Sequence, residues 1–280
     1  MYTQPKTAKT NETAAERKPV TITTLARMKQ QGEKFACLTA YDASFAALLD
    51  GNGVEVVLVG DSLGMVVQGH PTTLPVTVDD MLYHTKAVAR GLSRALLMVD
   101  MPFMSYATPE RALATATRFM QEGGGHMVKL EGAGNQREVV EYLASRGVPV
   151  CAHLGLRPQS VHKLGGFRVQ GKDSEAAREM LEDAQTLEAA GADIILLELV
   201  PHALAKEISA TVAVPVIGIG AGVDCDGQIL VTYDMLDITP GRRPKFVHNF
   251  MDGASSPADA VRRFVAAVKD KSYPAREHTF

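Results

Sequence analysis

Cysteine is scarce in this chain of 280 residues, and what there is does not pair. Cys37, Cys151 and Cys225 are odd in number and far apart, which excludes a disulfide framework and the paired spacing of a zinc site. They read as reduced thiols, so a cytoplasmic setting is expected. No stretch approaches the 18 consecutive apolar residues that suggest a membrane-spanning helix, and the polar start from Met1 to Lys18 lacks the apolar core of a secretory signal. An excess of one charge sign is missing too. Lys+Arg number 29 against 32 Asp+Glu, a net charge of -3, with no dense basic block to follow a phosphate backbone. Neither nucleic acid nor membrane is an expected partner.

What is present is ordinary for a soluble α/β protein: 46% apolar and 22% charged residues, in a chain long enough to bury a core. Residues 1–20 read as a loose tail and 21–280 as one catalytic domain, since no linker or composition shift divides them. Beyond the tail, apolar runs alternate with segments of helical period, the pattern of parallel strands joined by crossover helices. The strand candidates are 34–40, 54–60, 95–99, 127–130, 148–152, 193–197, 214–219 and 229–233. Eight such runs suit a closed (β/α)8 TIM barrel, with a doubly wound open sheet as the alternative. Helix starts are signalled by Thr77 with Asp80 three residues on, by Thr108-Pro109 and by Ser256-Pro257. A further helix is expected over Glu182–Gly191.

The informative pattern is how the strand candidates end. They stop on Asp61, Asp100, Glu131 with Lys129 just before it, His153 and Glu198. A charge beside a buried strand costs free energy unless it has a partner or a task. Any one ending alone is explained as a turn acid or helix cap; five together point to one site at the C-terminal rim of a barrel. Asp61, Asp100 and Glu131 would repel one another around a shared point, and an oxygen-only set suits Mg²⁺. Lys129 shares a strand face with Glu131 by alternation and can meet a substrate carboxylate or form a structural salt bridge. His153 is a donor candidate or a satisfied wall histidine. The apolar run around Glu198 should raise its carboxyl pKa, which makes it a candidate general base.

Two motifs point to other chemistry. Gly60-Asp61-Ser62-Leu63-Gly64 fits a nucleophile elbow, but that motif needs a helix directly after the serine and residues 65–68 read as loop. Gly218-Ile-Gly-Ala-Gly222 has valine where a dinucleotide fingerprint needs its third glycine and reads as a tight loop. Gly165-Gly-Phe-Arg-Val-Gln-Gly171, with glycines around an aromatic and a cation, looks like a closing lid.

Taken together, Leu38-Thr-Ala-Tyr-Asp42, Leu58-Val-Gly-Asp-Ser-Leu-Gly-Met65, Gln68-Gly-His70, Thr73-Leu-Pro-Val-Thr77 and Asp100 with Pro102-Phe-Met104 resemble the ketopantoate hydroxymethyltransferase family. The match continues through Val128-Lys-Leu-Glu131, Val150-Cys-Ala-His-Leu-Gly-Leu156, Val169-Gln-Gly171, Leu197-Glu198, Pro215-Val-Ile-Gly-Ile-Gly-Ala-Gly222, Asp226-Gly-Gln228, Lys245-Phe246 and Tyr273-Pro274 with His278. It covers residues 21–280. The resemblance implies a TIM barrel of the phosphoenolpyruvate/pyruvate superfamily type. It implies transfer of a hydroxymethyl group from 5,10-methylenetetrahydrofolate to 3-methyl-2-oxobutanoate, through a Mg-stabilised enolate, in pantothenate and coenzyme A synthesis. By motif, Asp61, Asp100 and Glu131 would hold Mg²⁺; Asp61, Ser62, Asp100, Lys129 and His153 would contact the keto acid; Glu198 would accept the proton. A homo-oligomer, often a decamer, is implied as well. Departures are Pro71, the glycine-rich 123–125 and the loop 223–225, all away from the metal and base positions. A folate-independent C–C lyase of the same superfamily is the alternative. The Lys-Lys-Cys-Gly-His type motif of those lyases is absent from the sequence.

Overall fold

The computed structural model describes residues 18–241 and 243–280. The tail expected over 1–20 therefore lies outside the described residues as far as position 17. Of its last three residues, Val20 is buried and its backbone N–H donates to the Arg94 carbonyl.

Eight parallel strands follow one another around a closed barrel: β1 Phe35–Thr39, β2 Val56–Val59, β3 Leu96–Asp100, β4 Met127–Glu131, β5 Val150–Gly155, β6 Ile194–Glu198, β7 Val216–Ile219 and β8 Gly227–Leu230. β8 pairs back onto β1, with Phe35 opposite Gly227, which closes the ring and rules out the open sheet. The strands are buried on both faces, as parallel strands under a helical coat must be. Alternation sorts their side chains. Phe35 and Cys37, Leu96 and Met98, and Ile194 and Leu196 fill the barrel interior, whereas Leu38, Leu97 and Ile195 meet the surrounding helices. Carried to the strand ends, the same parity aims Asp100, Lys129, Glu131, His153 and Glu198 inward.

The N-terminal end of the barrel is filled. The helix Ile22–Gln30, opened by a capping box at Thr21, drives Leu25 and Met28 into the interior cluster. Its Lys29 ammonium donates to the carbonyls of Ser209 and Val214 at 2.9 and 2.8 Å and pairs with Asp226 at 2.9 Å. Three acceptors from the chain just ahead of β7 and β8 hold that helix as a plug.

The capping signals at Thr77, Thr108 and Ser256 open helices Val78–Ala89, Pro109–Thr117 and Pro257–Lys269 as expected. Two expectations shift. The helix expected from residue 182 begins at Ser174, because the Asp173 carboxylate caps the Ala176 N–H. β8 runs over 227–230 and not 229–233. A Cβ on Gly227 would lie 2.4 Å from the Phe35 ring, so the glycine is there for close strand approach. At the other end Thr232 stops the strand: its N–H donates to Thr39 Oγ1 at 3.0 Å, its hydroxyl donates to the Thr39 carbonyl at 2.6 Å, and a helix Thr232–Met235 follows.

The β5–β6 edge supplies a test of the register at the site. Gly155 has φ +88°, and a Cβ there would lie 2.2 Å from the Glu198 carbonyl oxygen. Gly155→Ala is expected to lower unfolding free energy by at least about 2 kcal/mol, from left-handed strain and the backbone clash combined. Urea denaturation measures this, and an unchanged midpoint would contradict the register.

Candidate active site

Each charged strand end is delivered by the strand before it. Asp100 closes β3, Lys129 and Glu131 lie two apart at the end of β4, and His153 and Glu198 lie near the ends of β5 and β6. Asp61 and Ser62 occupy the turn after β2. That turn is tight: a Cβ on Gly60 would lie 2.7 Å from Ser62 Oγ and 3.5 Å from Asp100 Oδ2. The Asp61 N–H donates to Asp100 Oδ2 at 3.1 Å, and Lys129 Nζ pairs directly with Asp100 Oδ1. All seven of these expected residues line one cavity. Leu199, directly after Glu198, takes φ +49°, a strained conformation for a leucine. Its N–H donates to Ile219 O and its carbonyl accepts from Gln170 N, so the backbone carrying Glu198 is clamped from both sides.

Burial sets the electrostatics. It raises the Asp61 carboxyl to about 7, with the Asp100 charge adding to the effect. It raises Glu131 well above the usual carboxylate range, followed by repulsion from Asp61. It raises Glu198 to about 7, with Lys129 pulling the other way. Burial by itself would lower the pKa of Lys129, but Asp100, Glu131 and Asp61 outweigh it and hold the ammonium protonated. His153 is pushed well below its ordinary value by burial and then by Lys129, so the ring is neutral. Its Nδ1 lies 3.7 Å from Glu131 Oε1 and its Nε2 3.4 Å from Glu198 Oε2. Both are too long for a direct hydrogen bond, so two buried ring nitrogens face the cavity unpartnered.

Gln159 is the residue that sequence reasoning missed. It lies in the single turn Pro158–Ser160 after β5 and is buried. Its Nε2 donates to Asp61 Oδ2 at 2.8 Å and to the Met101 carbonyl at 2.9 Å, while its backbone N–H donates to Glu131 Oε2 at 3.1 Å. Tyr106 donates its hydroxyl proton to Gln159 Oε1 at 2.5 Å, which fixes the amide orientation. One neutral residue thus grips two acids. An uncharged side chain beside a proline offered no signal except its position in a strand-to-helix loop.

Ser62 also departs from expectation. A helix, Leu63–Val66, does follow it, where the sequence read as loop. The helix is one turn long, and Ser62 Oγ lies 2.9 Å from the Tyr41 hydroxyl, with no base beside it. His153, the histidine of the site, faces Glu131 and Glu198. The elbow therefore lacks the nucleophile–base pair that acyl chemistry needs. The glycines of 218–222 form the tight loop foreseen, and a Cβ on Gly222 would strike the His202 ring at 2.4 Å.

Among the described residues no three His, Cys, Asp or Glu side chains are drawn together as ligands of one ion. Glu131 Oε2 accepts from the Gln159 N–H, and Asp61 is near enough to push its pKa up further. Asp61 and Asp100 remain adjacent. These acids fit a hard divalent cation as a pair with Glu131 close by: three carboxylates against the single Lys129 ammonium carry a formal charge of two negatives when ionised, in a setting that resists ionisation.

The cavity holds about 740 Å³. Its deep end is the charged group just described, and Phe167, from the glycine-flanked segment expected as a lid, stands half exposed at its mouth.

Residues 19–276 match the family described as ketopantoate hydroxymethyltransferase. A 3-methyl-2-oxobutanoate hydroxymethyltransferase of Alkalilimnicola ehrlichii is 60% identical over 264 residues, 94% of this chain and 95% of its own. The same-named protein of Thiobacillus denitrificans is 57% identical over 94% of this chain and all of its own. Among solved structures, a putative phosphonomutase from Burkholderia cenocepacia aligns at 14% identity with a TM-score of 0.61, over 78% of this chain and 95% of its own. A 2,3-dimethylmalate lyase of the phosphoenolpyruvate mutase/isocitrate lyase superfamily aligns at 14% identity with a TM-score of 0.54, over 77% and 82%. At such identities these two speak for the fold.

Gln159→Leu removes two side-chain donors and strands Asp61 Oδ2, the Met101 carbonyl and the Tyr106 hydroxyl. An unfolding free energy lower by at least about 3 kcal/mol is expected, at roughly 1–3 kcal/mol for each of the three buried groups left unsatisfied. Thermal melts at pH 8, where Asp61 is mostly ionised, should show the largest loss; equal melting of the two proteins would deny the network its weight.

Proposed function

The chain belongs to the ketopantoate hydroxymethyltransferase family, and on that premise we propose how the residues of its cavity carry out hydroxymethyl transfer to 3-methyl-2-oxobutanoate. The observation that carries the proposal is a division of charge within one cavity. Glu198, a carboxyl with no lysine or arginine bonded to it, lies 3.4 Å from the neutral His153, in the cavity that also holds the Lys129–Asp100 ion pair.

Glu198 is the general base. Its pKa of about 7 lets it hold a proton taken from the substrate C3 and return it near neutral pH. Lys129 stays protonated and offers positive charge where the keto oxygen becomes anionic as C3 loses its proton. His153 directs a ring N–H at a substrate oxygen, and the Ser62 hydroxyl, steadied by Tyr41, contacts the substrate carboxylate. Asp61 and Asp100 would hold Mg²⁺, which when bound supplies Lewis-acid polarisation of the keto acid, with Glu131 adding charge from beside them. The electron pair left at C3 forms the new C–C bond as the one-carbon unit gives up its two bonds to the donor's nitrogens; water supplies the hydroxyl group, and the proton held by Glu198 together with the remaining proton of the water goes to those nitrogens. We assign 5,10-methylenetetrahydrofolate as the donor of that unit. A cytoplasmic homodecamer belongs to the same proposal, on the strength of the family resemblance.

Glu198→Gln is expected to slow deuterium exchange at C3 of 3-methyl-2-oxobutanoate by about 10²–10⁴-fold, the usual worth of a positioned base. Binding of the keto acid in the presence of Mg²⁺ should persist. Retained exchange removes Glu198 from the role. In the unmodified protein exchange should fall as pH drops through about 7, because protonation of Glu198 consumes the base form. A rate that is flat from pH 6 to 8 contradicts the assignment. Chelation with EDTA should abolish exchange, and added Mg²⁺ should restore it.

A further inference from the structure

Behind the acids runs a chain of hydrogen bonds whose direction cannot be reversed. It starts at the Glu131 N–H, which donates to the Tyr106 hydroxyl at 3.3 Å. A peptide N–H can only donate, so the phenol oxygen accepts there and turns its single proton to Gln159 Oε1 at 2.5 Å. The amide then presents its nitrogen to Asp61 Oδ2 at 2.8 Å and to the Met101 carbonyl at 2.9 Å. Turned over, the same amide would set its oxygen against two acceptors and its nitrogen against a phenol proton. The chain joins the end of β4, the loop after β3, the turn after β5 and the turn after β2.

Its members are held from outside. Tyr106 and Gln159 are both buried, so bulk water does not stand in for a lost partner. Ser105, just before Tyr106, donates its N–H to the Pro102 carbonyl at 3.0 Å, and its own carbonyl accepts from Thr115 Oγ1 at 2.9 Å. Met104 is kept at φ +62°, a left-handed conformation that a methionine retains only where its surroundings fix it. Gln159 follows Pro158, and its N–H is spent on Glu131 Oε2 at 3.1 Å. Met101 donates its N–H to the Lys129 carbonyl at 2.8 Å, which ties the second amide acceptor to β4. The chain ends on a residue that lines the cavity. Gln159 tethers Oδ2 of Asp61, and no hydrogen bond among the described residues reaches Oδ1. One carboxylate oxygen is fixed and the other is left for a ligand.

We propose that Tyr106 and Gln159 are positioning residues for the cation: Tyr106 sets the face of the Gln159 amide, and the amide sets the Asp61 carboxylate in the orientation in which Asp61 and Asp100 receive Mg²⁺. The proposal rests on the reading that these two acids hold the cation. Neither positioning residue lines the cavity, so each acts through Asp61. Buried hydrogen bonds in series work as a unit. Loss of the phenol hydroxyl therefore costs cation affinity as loss of the amide does.

The test is calorimetric titration of the full chain with Mg²⁺ alone, for the unmodified protein, Tyr106→Phe, Gln159→Leu, the double variant and Asp61→Asn. The Kd for Mg²⁺ should rise about tenfold in each of the first two variants, the worth of one buried hydrogen bond. The double variant should bind within about threefold of Gln159→Leu, because the second loss breaks a chain already broken. In C3 exchange of the keto acid, saturating Mg²⁺ should bring Tyr106→Phe back to within about threefold of the unmodified rate, since the defect lies in binding the cation. An unchanged Kd in Tyr106→Phe overturns the proposal. So do losses that multiply in the double variant, the result that two separate structural defects would give, and so does an exchange rate that high Mg²⁺ fails to restore. Tyr106→Phe keeps the ring and removes only the hydroxyl, so its Kd and its recovery decide the matter if Gln159→Leu does not fold. Asp61→Asn separates the two readings. If it binds Mg²⁺ as tightly as the unmodified protein, the metal assignment has failed and the positioning role with it. If its binding is lost while that of Tyr106→Phe is intact, the positioning role alone has failed.

Discussion

The Lys129–Asp100 pair is the interaction on which the remainder of the site depends. A buried ammonium is tolerated because acids surround it, and buried acids are tolerated because it is there. The pair settles the state of its neighbours. The Asp61 N–H donates to the Asp100 carboxylate, His153 is held neutral partly by the lysine charge, and Glu198 is kept near neutral titration because Lys129 offsets some of its burial. Remove the ammonium and four acids would share a low-dielectric space with no positive charge among them.

The barrel exists to make that arrangement affordable in geometry. Strands of period two deliver alternate residues to the interior, so a lysine and a glutamate two apart on β4 must arrive together, and the neighbouring strands bring Asp100 and His153 into register beside them. The raised carboxyl of Glu198 is also set apart from the Lys129 ammonium. Here the separation follows from strand order, with Glu198 on β6 and Lys129 on β4 and the neutral His153 of β5 between.

That much was legible in the sequence because charge at the end of an apolar run violates the pattern around it. Asp61, Asp100, Lys129, Glu131, His153 and Glu198 announced themselves in this way, and the eight runs announced the barrel. Gln159 did not, because an amide carries no charge and its importance lies in hydrogen bonds across 98 residues of sequence to Asp61. The start of β8 was hidden because Gly227 reads as a loop residue, while its use is to let the Phe35 ring approach. The single turn after Ser62 was hidden by its brevity. Glu131 was read as a third ligand from its strand end and from the family motif; the bond that its Oε2 accepts from the Gln159 N–H could not be read there. Local patterns disclose what breaks them, and long-range partners remain silent.

The helix Ile22–Gln30, seated in the barrel with Lys29 locked beneath β7 and β8, turns the barrel into a vessel with its base sealed. Traffic to the buried acids passes the open rim, where Phe167 stands half exposed. Whatever binds at depth therefore enters before anything that occupies the mouth, and leaves after it.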